Sequence, residues 1–298
     1  MKLLEERLTR GEVIILDGAT GTELDRRGVP MHGHAWSAAA LRTHSDIVRQ
    51  VHEDYIRAGA DIITTNTFAT ARHVLDQTEL RDAVRELNTA AVELARAARE
   101  AAAPSRPVYI AGSMSTSFVP PIPASQKSAN YREQATILAE AGVDVLLLEM
   151  MGNVGEATLA IEAAVSTGLP TWVGYSCKID GATSEVVLIH GEGETFGEAL
   201  DSLLPLGGSL HAIMHTEAAD TTPALNVLRQ RSSLPLGAYP HSGHFIMPNW
   251  VFENMISPEE YAEEAPSWVE KGAQVIGGCC GIGPDHIRLL RHRLSTTV

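Results

Sequence analysis

The chain has 298 residues, 44% hydrophobic and 20% charged, which is ordinary globular composition and room for one large barrel or two average domains. A net charge of −14 argues against a nucleic-acid partner, because phosphate binding needs clustered Lys and Arg. No apolar run is long enough to span a bilayer, and the opening stretch MKLLEERLTRGEVIILDG lacks the pattern of a secretory signal, so a cytoplasmic protein with no membrane partner is expected.

Short apolar, β-branched runs recur along the chain: VIIL (13–16), DIITT (61–65), VYIAG (108–112), DVLLLE (144–149), TWVGYS (171–176), LHAIM (210–214), LPLGAY (234–239) and QVIGG (274–278). Runs of this kind predict strands covered on both faces. Between them lie helix signals. Ser45 is placed to cap a helix with an apolar stripe at Ile47, Val48, Val51 and Tyr55, stopped by Gly59. Residues 80–100 repeat Ala83, Val84, Leu87, Ala91, Leu94 and Ala98 at helical spacing. Ser257-Pro258-Glu259-Glu260 reads as a capping box with proline in the first turn, and Gly272 closes that helix. Eight strands each followed by a helix predict one α/β domain over residues 1–298, a (β/α)8 TIM barrel. The competing open sheet lacks a GxGxxG after its first strand. The stretches 113–130 and 241–256 read as long irregular loops on the catalytic face.

In such a barrel the chemistry sits at the C-terminal ends of the strands. Those ends carry Asp17, Thr65-Asn66, Ser113, Glu149, Cys177, His215, His241 and Cys279-Cys280. The three cysteines, two of them adjacent, read as reduced thiols suited to metal or redox chemistry. The segment GGCCG (277–281) is the sharpest feature: it brings two sulfurs toward one point, and two thiolates favour a soft or borderline ion, Zn²⁺ first. Cys177 fits a small buried hydrophobe. The pairs His211/His215 and His241/His244 have metal-pair spacing only on a helix, and both stretches read as strand and loop.

Five stretches together, ILDGATGTEL (15–24), AGADIITTNTF (58–68), LAEAGVDVLLLEM (138–150), LPLGAYPHSG (234–243) and GGCCGIGPDHI (277–287), resemble the homocysteine S-methyltransferase family in order and over nearly the whole chain. The resemblance implies a zinc-activated homocysteine thiolate attacking a methyl group on a sulfonium, quaternary ammonium or folate-type donor. It implies that Asp17 and Glu149 are the working carboxylates, holding the substrate ammonium, and that Thr65 bonds the substrate carboxylate. Gly18, Asn66, Ser113, Tyr239 and His241 are the other expected substrate contacts. Read as residues alone, Asp17 also suits a cap on the following turn, Thr65 a rim hydroxyl and Tyr239 a core aromatic.

Two positions depart from the family pattern. The first metal-ligand cysteine, normally in an Asn-Cys pair at the end of strand six, is replaced by Met214-His215, and the PNSG after strand seven reads Pro240-His241-Ser242-Gly243. The expected metal set is therefore His215, Cys279 and Cys280. Two thiolates and an imidazole leave Zn²⁺ neutral where three thiolates leave a charge of −1. The neutral site acidifies a bound thiol further and leaves a weaker nucleophile, which suits a different thiol or a more reactive donor. S-methylmethionine is the first expected donor and betaine-type molecules the second. The partners are thus a small thiol acceptor and a methyl donor, with a homo-oligomer as the family implies. Competing readings are a metal-dependent hydrolase or lyase using His215 and His241, and a degenerate barrel that only binds an amino acid.

Overall fold

The computed structural model describes residues 2–31, 33–103, 105–246, 251–253 and 255–295. The eight expected strands are present: β1 (Ile14–Ile15), β2 (Ile62–Thr64), β3 (Tyr109–Ser115), β4 (Val145–Met151), β5 (Thr171–Tyr175), β6 (Leu210–Glu217), β7 (Leu236–His241) and β8 (Ala273–Ile276). All pair in parallel, each with its sequence neighbours, and β8 returns to β1. A bridge from Leu16 to Ile62 and the bond from Asp17 N to Ile62 O (3.0 Å) close β1 onto β2, so the sheet is a (β/α)8 barrel.

Each strand is followed by at least one helix, and the outer core lies between sheet and helices. The helix Ser45–Ala58 buries Val48, Val51 and Tyr55, and Gly59 ends it with φ +111°, a conformation that favours glycine. Ser45 itself is not the cap: it is the first helical residue, flanked by His44, and no side chain satisfies that end. The helix Val84–Ala102 buries Val84, Leu87, Ala91 and Ala98 as its period predicts. The capping box at Ser257 is present, with Glu260 N on the Ser257 hydroxyl (3.2 Å) and Ser257 N on the Glu260 carboxylate (2.9 Å).

The barrel interior has its own core, in which Ile14, Ile62, Leu147, Trp172 and Val275 meet Leu4 and Leu8 of the helix Lys2–Thr9. That helix plugs the N-terminal mouth and is tied down by the Gln274 side chain on Leu8 O (2.7 Å). Burying two leucines there contributes about 3–6 kcal/mol. The opposite mouth stays open.

The two long loops are partly ordered into elements. Residues 113–115 finish β3 and residues 124–130 begin the helix Ala124–Ala141, so only 116–123 are irregular. The second stretch holds an antiparallel hairpin, His244–Ile246 with Val251–Glu253. The His244 side chain and residues 247–250 lie outside the described residues. Another hairpin, Cys177–Ile179 with Val186–Leu188, follows β5 and buries Cys177, which packs in the outer core.

Candidate metal and thiol site

Four strands run two or three residues past their apolar runs, and these extensions carry the site. The register of β4 on β5 shifts between Leu148 and Met151, and that of β6 on β7 between Met214 and Glu217. Glu149 and His215 sit inside those two irregularities, the arrangement by which a bulge re-aims a side chain. Among the described residues five non-glycines have positive φ: Trp36, Phe118, Met150, Ser184 and His215. All but Ser184 line one cavity of about 690 Å³ at the open mouth. Left-handed backbone in bulky residues costs roughly 1–3 kcal/mol each, and here it is concentrated where the barrel meets its ligand space. Local bonds hold it: the Thr116 hydroxyl donates to Met150 O, and Thr216 Oγ1 donates to Met214 O (2.9 Å) while accepting from Cys177 N (3.0 Å).

At the floor of this cavity one ligand atom each from His215, Cys279 and Cys280 fall within 4.8 Å of one another. Cys279 Sγ lies 3.5 Å from His215 Nδ1 and 3.9 Å from Cys280 Sγ. The Cys279 hydrogen bond and the His215 imidazole push the Cys280 thiol well below its ordinary value, while Cys279, which keeps the shared proton, is pushed well above. Burial alone would lower the His215 pKa, but the Cys280 sulfur and the carboxylates of Glu149 and Glu217 outweigh it and raise it. A pair of thiols sharing a proton beside an imidazole is a donor set that fits a tetrahedral, borderline-soft cation with one position left over.

The glycines around the cysteines act mainly by what they lack. A Cβ on Gly277 would stand 2.6 Å from Leu16 Cβ, and one on Gly278 would stand 2.2 Å from Ile282. Only Gly281, with φ +82°, is needed for the turn. The segment is pinned by Cys279 N on Pro240 O (2.9 Å) and by the Tyr261 hydroxyl on Gly277 O (2.7 Å).

Two carboxyl groups face the same space. Asp17 accepts from Thr64 N (2.7 Å) and the Thr64 hydroxyl (2.8 Å). Glu149 accepts from the Ser113 hydroxyl. Burial pushes Asp17 up to about 7, with the Thr64 bonds opposing it. Burial also pushes Glu149 up to about 7, with Ser113 opposing and the neighbouring Asp17 charge adding. Two carboxyls that titrate near neutrality in a cavity are poised for an incoming cation.

The expected substrate residues Asp17, Gly18, Thr65, Asn66, Ser113, Glu149 and Tyr239 all line the cavity, as do His215, Cys279 and Cys280. His241 does not: it lies behind His215, with ring centroids 4.6 Å apart, and its Nε2 meets Glu217 Oε1 at 3.2 Å. Several of the others are already committed. The Asn66 amide is engaged with Ser37 through Nδ2 to Ser37 O (2.9 Å) and the Ser37 hydroxyl to Oδ1 (2.6 Å). Thr65 Oγ1 shares a bond with Thr67 Oγ1 (2.7 Å) and accepts from Ser113 N (3.2 Å). Gly18 is needed for close approach, since a Cβ there would lie 2.3 Å from Ile282 O. The Tyr239 hydroxyl is buried with no partner among the described residues.

Sequence reasoning missed the cavity's outer wall: Trp36, Phe68 and Phe118, in edge-on contact at 5.6 and 6.3 Å, with Met150, Asn153 and His190. The aromatic residues are visible in the sequence, but nothing local marks them as neighbours.

The sequence profile described as homocysteine S-methyltransferase matches residues 14–294. The chain is 27% identical to a selenocysteine methyltransferase of Astragalus bisulcatus, covering 96% of this chain and 94% of that one. It is 28% identical to the homocysteine S-methyltransferase of Escherichia coli strain K12, covering 97% and 98%. Among solved structures, the metallated form of the E. coli homocysteine methyltransferase MmuM superposes with a TM-score of 0.80 at 27% identity, covering 97% of this chain and 99% of that one.

Proposed function

The chain belongs to the homocysteine S-methyltransferase family, and from that premise we propose that it moves a methyl group from a small onium donor, S-methylmethionine first, to the thiol of homocysteine or a close analogue held at His215, Cys279 and Cys280. The observation that carries the reading is the convergence of those three side chains and two near-neutral carboxyls on one cavity floor. A Zn²⁺ ion held by His215, Cys279 and Cys280 would act as a Lewis acid that keeps a substrate thiol ionised at neutral pH.

The chain's own residues supply the rest. Asp17 and Glu149, ionised by the approach of the substrate ammonium, anchor the amino-acid end and orient the thiol toward the cysteine pair. Thr65 and Ser113, at the same rim, would meet the substrate carboxylate only by giving up the bonds their hydroxyls now make to Thr67 and Glu149. The homocysteine sulfur then forms a bond to the methyl carbon as the donor's carbon–sulfur bond breaks, and that electron pair leaves with the donor sulfur. A thiolate and a sulfonium become two neutral thioethers. Charge is annihilated in the transition state, so a wall of Trp36, Phe68, Phe118 and Val119 that excludes water lowers the barrier relative to bulk solvent. The aromatic faces also suit the donor cation before transfer.

The test is a purified, reduced sample assayed for metal and for methionine formation. About one Zn²⁺ per chain and methionine from homocysteine with S-methylmethionine are expected, with betaine as the comparison donor. A chain that takes up no Zn²⁺ and forms no methionine with any onium donor would sink the proposal.

A further inference from the structure

The two departures from the family pattern, His215 and His241, meet in space. Glu217 and His241 are register partners across β6 and β7, and the Glu217 carboxylate meets His241 Nε2 at 3.2 Å. The His241 ring packs on His215 at 4.6 Å and 53°. His215 needs such backing: its backbone is held at φ +42° inside a register break, and its Nδ1 stands 3.5 Å from Cys279 Sγ. An imidazole is also longer than the cysteine thiol it replaces and has more orientations to lose.

We propose that the two histidines are one coupled change: His241, its ring fixed by Glu217, is a positioning residue that holds the His215 imidazole against the cysteine pair. The carboxylate sets the His241 tautomer by taking its Nε2 proton in a hydrogen bond, and the oriented ring then closes one side of the space in which His215 turns. This outer partner is built for a histidine in position 215 and has nothing to hold when a cysteine stands there. The inference rests on the metal site of the proposed function but not on methyl transfer.

A double-mutant cycle on metal binding tests it, with Co²⁺ as the probe, its ligand-field bands as the spectroscopic readout and a chelator competition for affinity. H241N and E217A are each expected to weaken Co²⁺ binding by about 10–100-fold and to shift the bands, whereas E217Q, which keeps an acceptor, stays within about threefold. In an H215C background, H241N is expected to change neither affinity nor bands, so the cycle is strongly non-additive. Equal weakening by H241N in both backgrounds, or unchanged bands in the His215 background, overturns the coupling. A wild-type chain that binds neither Co²⁺ nor Zn²⁺ overturns the metal reading itself, and this inference with it, and is recognised before any variant is made.

Discussion

The two ends of the barrel bury the same chemical group in opposite company. At the floor, Asp61 is 7% exposed, accepts from Ile15 N at 2.9 Å, and is surrounded by three guanidinium groups: Arg291 in hydrogen-bond contact, Arg7 at 3.4 Å and Arg106 at 4.0 Å. At the rim, Asp17 is 1% exposed and Glu149 is 9% exposed, yet their bonds come from Thr64 and Ser113, and neither pairs with a Lys or Arg among the described residues. A buried carboxylate without a cation is costly, so the rim groups rise to about 7. The floor carries its countercharge in the chain; the rim has none among the described residues, and under the proposed function the ammonium of the substrate supplies it. On that proposal one end is built for stability and the other for binding.

The largest effect that sharpens this contrast is at the cysteines. Cys279→Ala or Cys280→Ala should abolish metal uptake and lower methyl transfer by on the order of 10³-fold or more, the several kcal/mol that Lewis-acid activation supplies. Thermal unfolding of the metal-free protein should shift little. A large loss of stability with metal retained would put the pair with the floor rather than the rim.

Asp61→Asn should do the reverse. It leaves Arg291, Arg7 and Arg106 half-buried beside a neutral group, at a cost of about 3–5 kcal/mol by denaturant unfolding. KM and kcat measured where the variant remains folded should stay near wild type. An Asp61 variant that lost homocysteine affinity without losing stability would break the comparison.

Titration gives the next effect. Asp17 and Glu149 have folded pKa values above their unfolded ones, so between about pH 4 and 7 the native state holds more protons than the unfolded state. These two groups therefore make the ligand-free protein lose stability as pH rises through that window. Homocysteine binding should ionise them, releasing protons below pH 7, which calorimetry in buffers of different ionisation enthalpy reads directly. Asp17→Asn should raise the homocysteine KM by about 10–100-fold, the loss of a charge-assisted bond, and should flatten the stability slope. A slope unchanged in Asp17→Asn and Glu149→Gln together would show that the rim carboxyls are already ionised.

The eight strands were legible because each is a continuous apolar run buried on both faces. Their ends were less so: β3, β4, β6 and β7 continue past the apolar residues, since ladder bonds persist where side chains turn toward the cavity. Glu149 and the cysteine pair stand out in the sequence because a carboxylate or vicinal thiols at a buried strand end have few bland explanations, whereas Asp17 also suits a turn cap and is singled out only by the family resemblance. His241 was misplaced as a cavity residue, because the bulge between Met214 and Glu217 that lets it slip behind His215 has no one-dimensional signature. Ser45 was a chemically sound cap that the chain does not use, the first turn instead starting one residue earlier than a capping geometry requires.

The smallest effect compares two buried tyrosines a few ångströms from the site. Tyr261 donates to Gly277 O at 2.7 Å and lies 3.2 Å from Pro240 O, so its hydroxyl fastens the cysteine segment. Tyr239 has the same burial, but its hydroxyl finds no partner among the described residues and borders the cavity. Removing a used hydroxyl leaves Gly277 O short of a donor, while Pro240 O keeps Cys279 N, so Tyr261→Phe should cost about 1–2 kcal/mol. Removing an unused one relieves a buried polar group, so Tyr239→Phe should leave the ligand-free protein unchanged or more stable by up to about 1 kcal/mol. If the Tyr239 hydroxyl waits for substrate, the stabilisation that homocysteine gives to wild type should shrink in Tyr239→Phe and persist in Tyr261→Phe. A Tyr239→Phe protein destabilised without ligand would move that hydroxyl from the rim's unfinished chemistry to the barrel's structural bonds, and thermal melts with and without homocysteine distinguish the two.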